Sequence, residues 1–188
     1  MIEYIAIASP SGGGKTELVK MLVADKSFGD YVKIITHTTR PKRHDEEHGK
    51  DYYFVSDDTF DKLVAQGNFI EYSTIYQYKY GISQKSIEHA EKRAKDGVVI
   101  IVDIKGAEKI KEFFPDITTV FILPPDEKVL AKRLQKRGTE TPENLKKRLD
   151  AAHSEIAAYR EFDFLVVNRT LKQAYSDLKL IITFAKTN

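Results

Sequence analysis

The residues with the clearest chemical potential lie in segment 9–16, which reads Ser-Pro-Ser-Gly-Gly-Gly-Lys-Thr. Consecutive glycines let successive backbone N–H groups turn toward one anion. Lys15 can reach the β- and γ-phosphates of a nucleotide, and the hydroxyl of Thr16 can ligate Mg²⁺. The sequence therefore predicts a phosphate-binding loop whose contacts come from Ser11, Gly12, Gly13, Gly14, Lys15 and Thr16.

The sequence on both sides supports that prediction. Residues 4–8 form an apolar run typical of a strand, and Leu18, Leu22 and their apolar neighbours recur at helical spacing. The positive N-terminal end of such a helix would face the bound anion. Ser9 stands where the G-x-x-x-x-G-K-[ST] pattern has its first glycine. A glycine-rich turn without a ligand is the less favoured alternative.

Strands and helices alternate along most of the remaining chain. Apolar runs predict strands at 31–35, 98–102, 118–123 and 164–167. Amphipathic patterns predict helices at 83–95, 106–114, 127–136, 143–159 and 171–184. This alternation predicts a parallel sheet with helices on both faces and a ligand at the carboxyl ends of the strands, where the loop and Asp103 both fall.

The aromatic-rich segment 51–80 departs from that alternation. Short strands are predicted at 52–55 and 69–72, on either side of a helix at 57–66. Asp57 or Asp58 is the expected N-cap of this helix, because a carboxylate can accept a hydrogen bond from its first turn. The segment therefore predicts a small mixed lobe inserted into the larger fold.

Length, composition and charge narrow the class of protein. A chain of 188 residues suits one domain, and a formal net charge of +2 gives no reason to expect bulk nucleic-acid binding. The absence of cysteine excludes disulfides and thiolate metal sites. No run of 18 or more apolar residues and no leader-like start are found, so we expect a soluble, cytoplasmic protein without a membrane partner. The oligomeric state stays open.

Further sequence blocks accompany the loop in the order found in guanylate kinases. These blocks are Thr38–Arg43, Gly49–Phe54, Gly67–Glu71, Tyr80–Gly81 and Arg137–Thr141. The chain resembles that family from end to end. The resemblance implies an α/β, P-loop three-layer fold with a parallel sheet core, an inserted small mixed α/β lobe for the nucleoside monophosphate, and a mobile helical lid.

The family's organisation can be transferred to this sequence as one guanylate-kinase-like domain covering 1–188. The resemblance implies a core formed by 1–35, 84–125 and 160–188, a monophosphate-binding lobe at 36–83 and a lid at 126–159. It also implies the activity, which is transfer of the γ-phosphoryl group of ATP to GMP or dGMP with Mg²⁺ held by Thr16. The expected partners are therefore small-molecule nucleotides.

On the acceptor side, the resemblance implies GMP binding by Thr36, Arg40, Arg43, Tyr52, Glu71, Tyr80 and Asp103. Planar guanidinium groups and phenol hydroxyls suit a dianionic phosphate. Glu71 would accept hydrogen bonds from the guanine ring N–H and amino group, whereas adenine presents an acceptor at that ring nitrogen. On charge alone, the segment around Arg40 could equally be a solvated basic loop.

On the donor side, the resemblance implies that Arg133 and Arg137 bind the ATP phosphates and that Asn168 approaches the adenine. Lys15, Arg40, Arg137 and Arg148 are the implied catalytic residues. Their positive charges would stabilise the negative charge that spreads over the transferring phosphoryl group. On spacing alone, the lid arginines could equally be a solvated helix face.

Two departures from the family's pattern leave open which base the acceptor nucleotide carries. Ile82 follows Tyr-Gly at a position where the family commonly has a hydroxyl, and Ile101 replaces the first aspartate of the block that contains Asp103. A kinase of another nucleoside monophosphate is therefore an alternative, and a non-catalytic interaction module is a less favoured one. The histidines and carboxylates of 37–48 are expected to form a solvated loop rather than a dedicated metal site.

Overall fold

The computed structural model of the chain describes residues 2–75, 77–136 and 142–187, apart from the side chains of 136 and 142–148. The strands in this part are β1 Glu3–Ala8, β2 Tyr31–Lys33, β3 His37–Thr38, β4 Tyr53–Phe54, β5 Phe69–Ile75, β6 Tyr78–Ser83, β7 Gly97–Ile101, β8 Thr118–Leu123 and β9 Phe164–Val167. The α-helices are α1 Lys15–Ala24, α2 Asp57–Ala65, α3 Gln84–Glu91, α4 Ile104–Phe113, α5 Glu127–Lys136, α6 Pro142–Ala157 and α7 Leu171–Ala185, and a 3₁₀-helix Ala158–Glu161 follows α6.

The main sheet has five strands in the order β2-β7-β1-β8-β9. Every neighbouring pair in it is parallel, with Ile5 lying opposite both Val99 and Thr118. The central strand β1 ends at Ala8, directly before the glycine-rich loop. The predicted parallel sheet is confirmed, and the loop and Asp103 follow neighbouring strands at the same edge of it.

The central strand is apolar on both faces because helices cover both sides of the sheet. Ile5 and Ile7 face one side, where they pack with residues of α1 and α7, including Leu18 and Leu178. Ala6 and Ala8 face the other side, within a cluster that includes residues of α3 and α4. The two cores hold β1 from both faces, so the loop that follows it begins at a fixed point.

A second sheet lies within the segment 37–83. Its strand order is β4-β3-β6-β5, and β5 and β6 form an antiparallel pair. Stacking of Phe60 from α2 on Phe69, with ring centroids 4.6 Å apart, forms a small aromatic core beside this sheet. Sequence patterning does not indicate β3 or β6, because β3 is only two residues long and β6 begins with the polar sequence Tyr-Lys-Tyr.

The predicted N-cap of α2 is wrong. The cap is Ser56, whose hydroxyl accepts a hydrogen bond from the backbone N–H of Thr59 at 3.2 Å. Ser56 is the last residue with extended backbone, which is the conformation that an N-cap requires. Asp57 and Asp58 lie in the first turn instead. Their negative charges interact favourably with the positive N-terminal end of the helix dipole there.

Helices α5 and α6 pack together beside the glycine-rich loop. Leu130 and Leu134 of α5 form a small apolar cluster with Ala152 of α6. The same two leucines lie against Gly12, where an added Cβ would be 3.0 Å from Leu130 Cδ1. Within the described parts of the chain, no helix combines the length and apolar character that crossing a bilayer requires.

Candidate active site

The glycine-rich loop has a backbone that requires glycine at two positions. Gly12 has φ +88° and Gly14 has φ +98°, both in the left-handed region that side chains disfavour. Gly14 also lies so close to Asn168 that an added Cβ would be 2.3 Å from its Nδ2. The backbone N–H of Gly13 donates to the carbonyl of Pro10 at 2.9 Å, which closes the turn.

Ser9 has a structural role at the position of the missing glycine. Its hydroxyl donates to the Pro10 carbonyl at 2.9 Å. The ammonium group of Lys15 donates to the Ser9 carbonyl at 3.1 Å and lies 3.4 Å from the Ser9 hydroxyl. The serine therefore supports both the turn and the lysine, so the departure from the glycine pattern is compatible with a formed loop.

Asn168 stabilises the glycine-rich loop through a hydrogen bond to its backbone. Its Nδ2 donates to the Gly13 carbonyl at 2.8 Å, and its side chain is buried. The guanidinium group of Arg133 donates in turn to the Asn168 carbonyl at 3.0 Å. These contacts make Asn168 and Arg133 supports of the loop in the free chain, and their contacts with ATP stay predictions.

A cleft of about 210 Å³ lies between the loop and the second sheet. It brings together most of the residues that the sequence singles out, namely Ser11, Gly12, Gly14, Lys15, Thr16, Thr36, Arg40, Arg43, Tyr52, Glu71, Tyr80 and Asp103. Gly13, Arg133 and Asn168 are not among its lining residues. Arg137 and the side chain of Arg148 lie outside the described residues.

One wall of the cleft presents a pair of arginines held by a carboxylate. Arg40 Nη2 lies 2.6 Å from Glu46 Oε1, and the Arg40 guanidinium carbon is 5.3 Å from the centroid of the Tyr52 ring. The backbone N–H of Arg43 donates to Glu46 Oε2 at 2.9 Å. Tyr80 approaches Tyr52 edge-on, at 6.1 Å between ring centroids. Positive charge and phenol hydroxyls therefore converge at a place suited to a phosphate dianion.

The cleft is also lined by a buried acid with an unused acceptor. Glu71 is only 6% exposed, and its Oε1 has no hydrogen-bond partner among the described residues. Burial raises the pKa of Glu71 to about 7, and the charge of nearby Asp103 adds to this, while Lys109 opposes it. A buried acceptor without a donor costs free energy, so this position suits a ligand that brings N–H groups.

Asp103 is fixed by two hydrogen bonds. Its Oδ1 accepts from the backbone N–H of Gly106 at 2.6 Å and thereby caps α4. Its Oδ2 accepts from the Ser73 hydroxyl at 2.8 Å. The side chain thus holds its negative charge beside Glu71 at the carboxyl end of β7.

Of positions 36 and 82, which both line the cleft, only Thr36 provides a hydroxyl group. Thr36 is nearly buried and lines the cleft. Ile82 lines it as well and is 1% exposed, so its side chain fills the space that a hydroxyl would share. The next hydroxyl, that of Ser83, accepts from the backbone N–H of Ser86 at 3.2 Å and caps α3. Ser83 is therefore engaged elsewhere and does not replace the hydroxyl that Ile82 lacks.

The donor set of the cleft fits a magnesium ion that arrives with a nucleotide. Thr16 lines the cleft and offers a hydroxyl, which is a hard oxygen ligand. In the described ranges, no three or more His, Asp or Glu side chains are grouped so as to hold a metal by themselves. Phosphate oxygens of the nucleotide would therefore supply most of the ligands.

Comparison with known proteins decides the family. A family model described as guanylate kinase matches residues 2–185. The chain belongs to the guanylate kinase family. Proteins named guanylate kinase from Polaromonas sp. and Coxiella burnetii are 40% and 41% identical over 176 and 177 residues, and each match covers 94% of this chain and 84% of the relative.

A solved guanylate kinase also supports the fold. The crystal structure of guanylate kinase from Anaplasma phagocytophilum matches with a TM-score of 0.78 at 26% identity, over 100% of this chain and 87% of that one. The resemblance drawn from the sequence blocks is thereby confirmed, as is the α/β fold with its parallel sheet core.

Sequence reasoning for this guanylate kinase family member missed three polar residues of the site. Glu46 orders the arginines, Ser73 holds Asp103, and Glu155 of α6 lines the cleft beside the loop. Among the three, only Glu46 lies close in sequence to its partners, three residues after Arg43 and six after Arg40. Ser73 and Asp103 lie far apart in sequence, and Glu155 reaches the cleft from α6, so local patterning contains no signal for either position.

Proposed function

We propose that the chain transfers the γ-phosphoryl group of ATP to GMP or dGMP, giving ADP and the corresponding diphosphate. The observation that carries this proposal is that one cleft is lined both by the phosphate loop and by buried Glu71, whose Oε1 has no hydrogen-bond partner among the described residues. Membership of the guanylate kinase family supports the same reaction.

The proposed chemistry needs positioning and charge rather than a general base, because the attacking phosphate oxygen of GMP is already anionic. Lys15 and the loop N–H groups bind the donor phosphates. Arg40, Arg43, Tyr52 and Tyr80 hold the acceptor phosphate in line with them. Magnesium held by Thr16 would neutralise part of the phosphate charge.

We also propose that arginines of the lid contribute to phosphoryl transfer. By the family resemblance, Arg137 and Arg148 approach the transferring phosphoryl group when the lid at 126–159 closes over the core and over the lobe at 36–83. Closure would exclude water and complete the set of positive charges. This division of the chain is supported by the second sheet, which lies wholly within 37–83.

Glu71 is the proposed determinant of the base. Its ionised carboxylate accepts from both guanine donors, whereas adenine would place a ring acceptor against it. Thr36 and Asp103 line the same cleft and would be further polar contacts for the purine. Because its substrates are cytoplasmic metabolites and the chain lacks cysteine, we propose a cytoplasmic location.

A panel of acceptors tests the function. With ATP and Mg²⁺, we expect GMP and dGMP to be phosphorylated, and AMP, CMP, UMP and dTMP to show kcat/KM lower by about 10²-fold or more. A coupled assay of ADP formation gives both constants. Negligible GMP turnover beside a better acceptor would favour the alternative raised by Ile82. Absence of turnover with every acceptor would support an interaction module.

The pKa of Glu71 predicts how GMP binding depends on pH. Because the raised pKa lies near 7, lowering the pH through 7 protonates this carboxylate, and a protonated carboxyl group loses an acceptor that guanine needs. We expect KM for GMP to rise by up to about tenfold for each pH unit below 7, and to level off above about pH 8.

The measurement is KM for GMP between about pH 5.5 and 8.5, with Glu71→Gln as the control. The control retains the titration of the GMP phosphate, whose second pKa is about 6, but lacks that of Glu71. A wild-type profile that parallels the Glu71→Gln profile across this range would contradict the assignment.

A further inference from the structure

Strands β5 and β6 present one shared row of side chains to the cleft. In their antiparallel register, Glu71 lies opposite Ile82 and Ser73 lies opposite Tyr80. Side chains two residues apart on a strand share a face, and all four of these residues line the cleft. Ser73 therefore lies about 7 Å along β5 from Glu71, the proposed contact of the base, and directly across from Tyr80, a proposed contact of the acceptor phosphate.

The hydroxyl of Ser73 is oriented by a hydrogen bond across the cleft. It donates its one proton to Asp103 Oδ2 at 2.8 Å, while the backbone N–H of Gly106 holds the other Asp103 oxygen at 2.6 Å. A serine oxygen can also accept hydrogen bonds, and among the described residues no donor reaches that of Ser73. Ser73 is only half-buried, so this oxygen offers an acceptor in the cleft.

The charge of Asp103 decides which part of a nucleotide fits beside Ser73. A phosphate dianion would be repelled by a carboxylate only one hydrogen bond away, and it would be attracted instead to Arg40 and Arg43. The guanine N–H groups are the proposed partners of Glu71. The part that remains between base and phosphate is the ribose, which is neutral and carries hydroxyl donors. A ribose hydroxyl therefore suits the open acceptor of Ser73.

We propose that Ser73 determines specificity for the sugar of the acceptor, because its Oγ accepts a hydrogen bond from the ribose 2′-hydroxyl while it donates to Asp103. The proposal rests on the proposed function, since it takes Glu71 as the contact of the base and Tyr80 as a contact of the phosphate. Each hydrogen bond in such a chain strengthens the next. A 2′-deoxyribonucleotide lacks the donor and leaves the Ser73 acceptor unpaired, so GMP should be a better substrate than dGMP.

The test compares GMP and dGMP as acceptors for the wild type and for Ser73→Ala. The four values of kcat/KM, measured at saturating ATP and Mg²⁺, form a cycle that isolates the contact between the two hydroxyls. We expect the wild type to prefer GMP by about fivefold or more, and Ser73→Ala to lose about fivefold with GMP. With dGMP the variant should stay within about twofold of the wild type, so that most of the preference for GMP is lost.

Thr74→Val is the matched control. Thr74 follows Ser73 on β5 and is exposed on the opposite face of the strand, so the substitution removes a hydroxyl that does not face the cleft. We expect its preference for GMP over dGMP to match the wild type. Ser73→Thr retains the hydroxyl and should retain most of the preference, which provides a second variant if Ser73→Ala folds poorly.

A purely structural role of Ser73 gives a different result. If Ser73 only positions Asp103, Ser73→Ala lowers kcat/KM for both nucleotides by the same factor, and an unchanged ratio in the folded variant would overturn the proposal. Equal use of GMP and dGMP by the wild type would overturn it as well. In both cases turnover of the two nucleotides leaves the proposed function standing. Absence of turnover of either nucleotide by the wild type would refute that function, and the sugar contact with it.

Discussion

Replacement of Lys15 by alanine lowers kcat at saturating GMP and ATP by about 10²–10³-fold. In the free chain the Lys15 ammonium is held by the Ser9 carbonyl, at the start of the helix that follows the loop. Its charge would offset the negative charge that spreads over the transferring phosphoryl group, and alanine has nothing to replace it. The steady-state rate of ADP formation measures the loss.

Lys20→Ala is the matched control for this variant. Lys20 lies on the same helix, its side chain is 54% exposed, and it pairs loosely with Glu17 at 3.5 Å. We expect kcat to stay within about twofold of the wild type, as is usual for exposed substitutions. The Lys15 variant should retain its thermal transition and GMP binding. If it also retained wild-type kcat, the loop would have no role in transfer.

The second large effect is expected at Glu71. Glu71→Gln should lower kcat/KM for GMP by roughly 100-fold or more, since each hydrogen bond to a charged acceptor contributes about 1.5–3 kcal/mol. Glutamine also turns an amide N–H₂ toward the cleft, where it opposes the guanine donors and suits the adenine acceptor. The ratio of kcat/KM for GMP to that for AMP should therefore fall, while KM for ATP stays unchanged.

Glu88→Gln provides the comparison, because Glu88 is an exposed residue of α3. We expect its kinetic constants for GMP and AMP to equal those of the wild type. A Glu71 variant with unchanged discrimination between GMP and AMP would show that the base is read by other groups, with Thr36 and Asp103 as the next residues to alter.

Strands formed by short apolar runs were among the most predictable parts of the fold. The bounds of β8 and β9 agree with the sequence-based expectation, because an apolar run between polar turns has few other structures available. The phosphate loop was equally predictable, since left-handed backbone at Gly12 and Gly14 restricts the residue type itself. In both cases the constraint is local.

The parts that sequence patterning missed depend on partners distant in the chain. Strand β3 exists because Thr38 pairs with Tyr80 on one side and with Phe54 on the other. Arg40, Tyr52 and Glu71 were identified only through the resemblance to guanylate kinases, because nothing in their own neighbourhoods distinguishes them from surface residues.

The central place of β1 has a consequence for synthesis of the chain. This strand is made first, yet its neighbours β7 and β8 follow about a hundred residues later in the order of translation. Asn168, which holds the Gly13 carbonyl, comes 155 residues after it. At about 5–20 residues per second, the ribosome needs roughly 8–30 s to cover that interval. The nascent chain therefore carries its phosphate loop through most of translation without the Asn168 hydrogen bond that supports this loop in the folded chain.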